Sequence, residues 1–286
     1  MVLVFAVTAV VVVVLLATRG DSDDESAGAE KAALAGSGRA EVWAVGDGAD
    51  GGKRAKALAR RIAARRPDRL LYLGDVYEHG SREEFRRNYA PVYGSLASRT
   101  APTPGNHDWP LRAEGYYPYW RGVKGRPQPT YYAFRLAGWE IVSLNSEGPH
   151  EPESAQVRWL RRVVARTEGT CRLAFWHRAR YSAGSHGDDP GLEPLVDALE
   201  GRAAVVVTGH DHNLQRMEPR DGIVHFVAGA GGHSHYELDE GYPGLAWSNE
   251  TTYGALRLQL SPGRARYAFI SERGRTLDSG SIPCRS

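Results

Sequence analysis

The amino-acid sequence predicts a mixed α/β fold of the α+β type, and three observations support this prediction. Short apolar runs alternate with helical patterns in the first half of the chain. In the second half, apolar runs follow one another with turn-forming residues between them, which is typical of a sheet. The chain has 286 residues, 42% of them hydrophobic and 24% charged, which is enough for one large core. Its net charge of +2 does not indicate a basic surface that binds nucleic acid, so we expect no nucleic-acid partner.

The elements are predicted in chain order from the spacing of apolar residues. Helices are expected at 52–66 and at 154–167, the second with Val157, Leu160 and Val164 on one face. A hairpin is expected between 132–136 and 140–144, with its turn at Ala137-Gly138. The remaining predicted strands are at 42–45, 70–73, 173–176, 204–207, 223–228, 254–260 and 266–271.

An apolar segment at the N-terminus precedes these elements. Residues 2–17 are apolar or small apart from Thr8, a stretch that is short for a transmembrane helix and fits the core of a secretory signal. No Lys or Arg precedes it, so residues 1–29 have two interpretations, a signal peptide and an uncleaved signal anchor. Residues 30–40 are then a linker. Both interpretations predict a secreted or cell-envelope protein, outside the cytoplasmic membrane, and the second adds a membrane anchor.

The two cysteines fit an exported protein. Cys171 begins the strand that leads to His177, and Cys284 is the third residue from the C-terminal end. In an oxidising compartment a disulfide between them could attach the C-terminal tail to the core. The alternative is that the two thiols lie far apart, because the sequence alone does not give their distance.

Five short polar motifs carry side chains that bind metals or face phosphate. In chain order they are Gly46-Asp47, Gly74-Asp75, Gly105-Asn106-His107-Asp108, His177 and Gly209-His210-Asp211-His212. Four of them follow predicted strands, and the third follows the Pro-rich stretch 101–104. Strands that end in carboxylates, an amide and imidazoles can gather these ligands at one edge of a sheet. Such a mixture of hard oxygen donors and borderline nitrogen donors is typical of a two-metal hydrolase.

The order and spacing of these motifs resemble those of the calcineurin-like metallophosphoesterase superfamily. The resemblance runs from about residue 42 to residue 260. Gly48 and Ala49 stand where many members carry a His, and Tyr77 follows the second motif, so the chain is most similar to the purple acid phosphatase branch. The resemblance implies a four-layer αββα fold, with two packed mixed β-sheets flanked by helices and the metals at the carboxyl ends of strands. It also implies that residues 41–286 form the metallophosphoesterase catalytic domain.

The resemblance implies two metal ions, Fe together with Fe, Zn or Mn, on these residues. Asp75 corresponds to the family's bridging carboxylate. The first metal would be completed by Asp47, Tyr77 and His212, and the second by Asn106, His177 and His210. In purple acid phosphatases the Tyr usually stands three residues after the Asp, whereas Tyr77 stands two after Asp75 and Glu78 fills the third position. Glu78 is therefore the alternative ligand.

Three further residues have catalytic roles by the same resemblance. His107 would give a hydrogen bond or proton to the leaving oxygen, and Asp108 would hold its ring in one orientation. His186 lies nine residues after His177, where some relatives have a His that faces the substrate. An exposed loop residue is the alternative interpretation of His186.

The other polar residues near the motifs have structural interpretations. We expect His225 to pack within its strand, and Asp211 to point away from the metals or to hold an imidazole. For His233 and His235, which follow a Gly-rich stretch, we expect a solvated loop, with a place at the rim of the site as the alternative.

The function predicted from the sequence is hydrolysis of phosphomonoesters by an exported dinuclear-metal phosphoesterase. The implied mechanism is attack by a metal-bound hydroxide on a small phosphorylated substrate. A phosphodiesterase or nucleotide pyrophosphatase of the same fold is the first alternative. The second, from another class, is a non-catalytic metal-binding surface module. The oligomeric state is left open.

Overall fold

The computed structural model of the protein describes residues 38–166 and 169–284. The predicted signal peptide or anchor, and most of the predicted linker, lie outside these residues. Among the residues that are described, no helix is both long enough and apolar enough to cross a membrane.

The described part of the chain contains β-strands and short helices in alternation. The strands are β1 (Ala40–Val45), β2 (Arg69–Tyr72), β3 (Thr100–Pro102), β4 (Tyr132–Leu136), β5 (Trp139–Ser143), β6 (Cys171–Phe175), β7 (Val205–Thr208), β8 (Leu214–Met217), β9 (Val224–Ala228), β10 (Leu245–Asn249), β11 (Gly254–Ser261), β12 (Arg264–Ser271) and β13 (Thr276–Pro283). The α-helices are α1 (Lys53–Ala64), α2 (Arg82–Glu84), α3 (Ala90–Tyr93), α4 (Tyr116–Lys124), α5 (Ala155–Arg166) and α6 (Glu193–Asp197). A π-helical turn (Phe85–Tyr89) joins α2 to α3, and 3₁₀ segments cover Gly94–Arg99 and Pro190–Leu192.

The strands form two mixed sheets. The first has the order β13-β12-β11-β1-β2-β3, and the second has the order β10-β8-β9-β7-β6-β5-β4. Strands β1, β2 and β3 run parallel in the first sheet, as do β5, β6, β7 and β9 in the second. The backbone amide of Gly46 donates to the carbonyl of Ala228 at 2.9 Å, which joins the end of β1 to the end of β9. The carboxyl ends of both parallel sets therefore meet.

Each central strand is buried on both faces. In β1, Val42 and Ala44 pack in the core between the two sheets, whereas Trp43 and Val45 pack against α1. The second sheet packs in the same way against α5 and α6 on its outer face. Because both faces are covered, these strands are continuous apolar runs in the sequence. The result is the predicted four-layer αββα arrangement.

The two longest predicted helices and the hairpin are confirmed. Residues 53–64 and 155–166 are α-helical, and β4 and β5 pair antiparallel around Ala137-Gly138. The sequence did not predict β3, β8, β10 and β13; β3, β10 and β13 lie at the edge of a sheet, whereas β8 lies between β10 and β9. These segments are short or contain polar residues, so none has the continuous apolar run of the predicted strands. The segment 116–124, for which the sequence predicted no helix, is the helix α4, which buries Tyr116 and Trp120.

The predicted pairing of the cysteines is confirmed. Cys171 and Cys284 form a disulfide with a Cα–Cα distance of 5.4 Å and a separation of 113 residues along the chain. The bond connects the first residue of β6 to the residue that follows β13, and so it links the two sheets. It lies at the amino end of β6, whereas His177 lies beyond the carboxyl end.

Candidate metal centre

The predicted ligands lie where the parallel strands end. Asp47 follows β1, Asp75 follows β2, His177 follows β6 and His210 follows β7. Asp47, Asp75 and His210 have backbone φ angles of 58°, 69° and 69°, in the left-handed region that non-glycine residues seldom occupy. Such strained backbone persists where the surrounding structure holds it, and it is concentrated at functional sites. The turn in the chain at each strand end therefore aims these side chains into one site.

One group of side chains consists of Asp47, Tyr77 and His212. The Tyr77 hydroxyl lies 3.1 Å from Asp47 Oδ1 and 2.8 Å from His212 Nε2. His212 Nε2 lies 3.6 Å from Asp47 Oδ1. The His212 Nδ1–H donates to the carbonyl of Ser234 at 2.7 Å, which leaves Nε2 as the unprotonated nitrogen of a neutral ring. Three donor atoms, two oxygens and one nitrogen, thus lie close together.

A second group contains Asp75, His177, His210 and Asn106. One ligand atom from each of Asp75, His177 and His210 lies within 4.8 Å of the others. His177 Nε2 is 2.9 Å from Asn106 Oδ1, 3.1 Å from His210 Nδ1 and 3.4 Å from Asp75 Oδ2. The His177 Nδ1–H donates to the carbonyl of Leu73, so its Nε2 also faces the site as a lone pair.

Tyr77, and not Glu78, reaches the first group. The Tyr77 side chain is buried and its hydroxyl is in contact with both Asp47 and His212. Glu78 is exposed, and its backbone amide and carbonyl bond to Glu84 and His107. Tyr77 stands one residue earlier than the Tyr of purple acid phosphatases, but its phenol still lies in the site.

His107 lies at the edge of the second group, next to Asp75. Its backbone amide donates to Asp75 Oδ1 at 3.0 Å, and its Nε2 is 3.9 Å from Asp75 Oδ2. The His107 Nδ1–H donates to the carbonyl of Glu78. The ring is thus oriented by a backbone carbonyl, with Nε2 directed to the site.

The expectation that Asp108 holds the His107 ring is wrong. The buried Asp108 carboxylate accepts three backbone hydrogen bonds, from the amides of Asp75 at 2.9 Å, Val76 at 3.1 Å and Gly105 at 2.9 Å. Burial, and after it the charge of Asp75, raise the pKa of Asp108 to about 8. Asp108 therefore fixes the backbone that carries Asp75 and does not contact the imidazole beside it.

The glycines in the motifs allow the close approach of these groups. A Cβ atom at Gly105 would lie 2.0 Å from Asp75 Oδ1. A Cβ atom at Gly209 would lie 2.7 Å from Asp47 Oδ2. Any side chain at either position would displace a carboxylate of the site, which is the physical reason for glycine there.

Burial sets the charge state of the donors. Burial, and then the charge of Asp75, raise the pKa of Asp47 well above its ordinary value. Burial lowers the pKa of His212 to about 3, and burial followed by the neighbouring His177 lowers the pKa of His210. The imidazoles are therefore neutral at physiological pH, which metal binding requires.

The donor set fits metal cations. The charges of two buried carboxylates, Asp47 and Asp75, act on each other, and within the described part of the chain the groups that form ion-pair contacts with them are imidazoles. A positive ion at each group would offset the cost of burying the carboxylates together. Carboxylate, phenol, amide and imidazole donors suit Fe, Zn or Mn and do not suit a metal that requires thiolates.

The rim of the site carries aromatic rings that stack on the predicted ligands. His186 is exposed, and its ring stacks on His210 with centroids 3.9 Å apart. His233 stacks on Tyr77 at 4.0 Å, so the site-rim interpretation of this residue is the correct one. Tyr236 stacks on His212 at 3.9 Å. No sequence signal singled out Tyr236, because it belongs to a loop without regular periodicity.

Arg178 is a further neighbour of the site that sequence reasoning did not identify. Its Nη1 lies 3.1 Å from His210 Nε2. The signal that could have found it is its place directly after His177. That position alone does not show which way the Arg178 side chain points.

The remaining polar residues near the motifs have structural contacts. Asp211 accepts hydrogen bonds from the Ser182 hydroxyl and from the His186 amide, and so it holds the loop that carries His186. His225 is buried with its ring against Tyr181, as expected. His235 is half-buried and its Nδ1 contacts the carbonyl of His212, so it does not lie on a freely solvated loop.

Comparison with known proteins agrees with this geometry. The family model of calcineurin-like phosphoesterase matches residues 41–214, more than half of the chain. Tartrate-resistant acid phosphatase type 5 of Mus musculus is 24% identical over 274 residues, covering 81% of this chain and 83% of that protein. A probable cyclic nucleotide phosphodiesterase of a Synechococcus species is 27% identical over 173 residues, covering 56% of this chain and 63% of that protein.

A solved structure shares the fold. A purple acid phosphatase from yellow lupin (Lupinus luteus) seeds superposes with a TM-score of 0.73 at 16% identity, over 86% of this chain. The aligned part is 54% of the lupin chain, so this chain spans about half the length of that protein. The family match and the acid phosphatase relatives together show a hydrolase that acts on phosphoric ester bonds. The chain belongs to the calcineurin-like phosphoesterase family.

Proposed function

We propose that this protein is an exported, dinuclear-metal phosphomonoesterase. The observation that carries the proposal is the presence of two groups of donors, one formed by Asp47, Tyr77 and His212 and the other by the buried Asp75 with His177 and His210, with His107 beside Asp75. Asp75 would hold both cations. Asp47, Tyr77 and His212 complete the first, and Asn106, His177 and His210 complete the second. We assign the pair as Fe with Fe, Zn or Mn.

The chain's own residues position the substrate and supply a proton. When bound, the two cations activate a water for attack and neutralise charge on the phosphoryl oxygens. The protonated form of His107, oriented by the Nδ1–H bond to the Glu78 carbonyl, would give its Nε2 proton to the leaving oxygen. His186, exposed beside His210, contacts the phosphorylated substrate at the rim.

Export is part of the same proposal. Residues 1–29 are a signal peptide or a signal anchor, residues 30–40 a linker, and residues 41–286 the catalytic domain. The disulfide between Cys171 and Cys284 supports a location outside the cytoplasmic membrane, because such bonds persist in oxidising compartments.

A phosphodiesterase is the second candidate. The observation in its favour is the 27% identity to the probable cyclic nucleotide phosphodiesterase of Synechococcus. The donors that activate the water are the same for both ester classes, so the two candidates differ only in the groups that surround the phosphate.

The experiment combines metal analysis with two chromogenic substrates, p-nitrophenyl phosphate and bis(p-nitrophenyl) phosphate. The wild-type protein should bind two metals per chain and hydrolyse the monoester faster. Asp75→Asn should lose metal and nearly all hydrolysis, whereas Asp278→Asn, which alters an ion pair with Arg216, should keep both.

Three results would contradict the proposed function or part of it. A faster diester reaction would favour the second candidate. Two bound metals without hydrolysis would indicate a non-catalytic metal-binding module. An Asp75→Asn protein with two metals and a near-normal rate would refute the assignment of the site.

A further inference from the structure

Arg178 places a positive charge at the open edge of the site. Its Nη1 lies 3.1 Å from Nε2 of His210, on the side of that ring away from His177. The Arg178 side chain is 34% exposed, so an anion that arrives from solvent can contact it. None of the predicted ligand or proton-donor roles uses this residue.

The guanidinium is held in this position by its neighbours. Its Nε donates to both carboxylate oxygens of Glu147, at 3.0 and 3.1 Å, and the Glu147 side chain is only 8% exposed. Ser146 fixes both partners, because its hydroxyl donates to Glu147 and accepts from the Arg178 amide. With the Nε edge occupied by Glu147, the Nη1 edge is the one directed at His210. The orientation is therefore built before any ligand arrives.

The chemistry of His210 makes this contact informative. Its Nδ1 faces His177 Nε2 and the Asp75 group, so Nδ1 is the atom available to a cation. A neutral imidazole that gives Nδ1 to a cation carries its hydrogen on Nε2. In the structure the Arg178 Nη1–H donates to His210 Nε2 at 3.1 Å; with a hydrogen on Nε2 this bond is lost, and both groups are donors that need an acceptor. One acceptor oxygen placed before both atoms would satisfy both donors.

We propose that Arg178, positioned by Glu147, binds a terminal phosphoryl oxygen of the substrate together with His210 Nε2–H, and that this contact selects phosphomonoesters over phosphodiesters. The inference rests on the proposed function and specifies its substrate class. A monoester dianion has three terminal oxygens, two of which can face the cations while the third remains for Arg178. In a diester that third position carries a second ester group and the phosphate has one charge fewer, so the guanidinium has a weaker partner.

The chain provides a matched control in Arg180, two residues further on. Arg180 pairs with Glu193 and with Asp188, and its guanidinium lies over the Tyr181 ring. It has no contact with His210 among the described interactions. Arg180→Met therefore removes the same charge from the same segment without touching the proposed phosphate position.

The test compares wild type, Arg178→Met, Arg178→Lys and Arg180→Met after each protein has been loaded with metal. The readouts are metal content, the inhibition constant of inorganic phosphate, and kcat/KM for p-nitrophenyl phosphate and its bis-ester. Arg178→Met should keep two metals and bind phosphate about 10- to 100-fold more weakly, the scale of one charge-assisted hydrogen bond. Monoester kcat/KM should fall by a similar factor, and diester kcat/KM by much less. Arg178→Lys should recover part of the loss, and Arg180→Met should behave as wild type.

Several outcomes would overturn the proposal. Equal losses for monoester and diester, unchanged phosphate inhibition, or loss of metal from Arg178→Met would show that Arg178 has only a structural role. These results would leave the phosphomonoesterase assignment intact, since the wild type would still hydrolyse the monoester. A wild-type protein without phosphoesterase activity would instead refute the proposed function, and this inference with it.

Discussion

Removing the disulfide between Cys171 and Cys284 tests how the two sheets are held together. The bond closes a loop of 113 residues. In the chain-entropy model a loop of this length lowers the entropy of the unfolded chain enough to stabilise the native state by about 4.8 kcal/mol. For a domain of this size, each kcal/mol changes Tm by about 2–4 °C. Replacing both cysteines by alanine should therefore lower Tm by about 10–20 °C.

The same change should leave the chemistry intact below the unfolding transition. Cys171 begins β6, and His177 lies six residues further along the extended chain, which corresponds to about 20 Å. No predicted ligand contacts either cysteine, among the contacts of the described residues. At 25 °C the double variant should keep its metals and its rate of monoester hydrolysis.

The assay is thermal unfolding followed by circular dichroism, with metal content and hydrolysis measured in parallel at 25 °C. Wild-type protein treated with a reductant should match the Cys171→Ala/Cys284→Ala variant, which controls for the loss of two sulfur atoms. A decrease in Tm of less than about 3 °C would refute the entropic argument. Loss of metal at 25 °C would refute the separation of the bond from the site.

Three further predictions concern single residues. His107→Ala should keep both metals but lower kcat by roughly 10²–10⁴-fold, with a smaller loss for substrates whose leaving group needs no proton. An equal loss for good and poor leaving groups would exclude the role of His107 as the acid. If Tyr77 binds Fe(III) as a phenolate, the protein should absorb visible light. Tyr77→Phe should then lose both the colour and the first metal, whereas Glu78→Gln should change neither. A coloured Tyr77→Phe protein would contradict this assignment. Burial lowers the pKa of His225 to about 3, below its ordinary value of 6.5, so the stability it contributes is present above pH 6.5 and is lost as the pH falls towards 3. Between pH 6.5 and pH 3 the unfolding free energy of wild type should therefore fall more steeply with pH than that of His225→Asn, by about 1.4 kcal/mol per pH unit. Urea titrations at several pH values measure both slopes. Equal slopes would show that His225 does not cause the loss of stability at low pH.

The sequence by itself determined most of the central strands, the long helices and the order of the ligand motifs. Strands buried on both faces require continuous apolar residues, and helices that cover a sheet require an apolar stripe, so both leave a local pattern. Strand β8 and the edge strands β3, β10 and β13 were not predicted, because each is short or carries polar residues and so lacks a continuous apolar run. Pro102 within β3 fits such a position, since an edge strand has one side that needs no backbone donor.

The tertiary structure decided how the site is assembled. Tyr77 and His212 are 135 residues apart in the chain, and their contact at 2.8 Å depends on the path of two loops, which no local periodicity encodes. Asp108 was expected to orient a neighbouring ring, but its carboxylate instead accepts hydrogen bonds from the amides that carry Asp75. The direction of a side chain in a loop follows from the backbone around it. Sequence spacing alone does not specify that direction.

The position of Arg178 beside the site and the pairing of the two cysteines were also decided by the tertiary structure. Arg178 is conspicuous only once His210, 32 residues away, is brought next to it by the pairing of β6 with β7. Cys171 and Cys284 lie within bonding distance because the two sheets pack face to face. The sequence determined which chemical groups stand at the ends of the strands. Packing of the two sheets determined which of these groups meet, because contacts between distant segments depend on the relative position of whole layers.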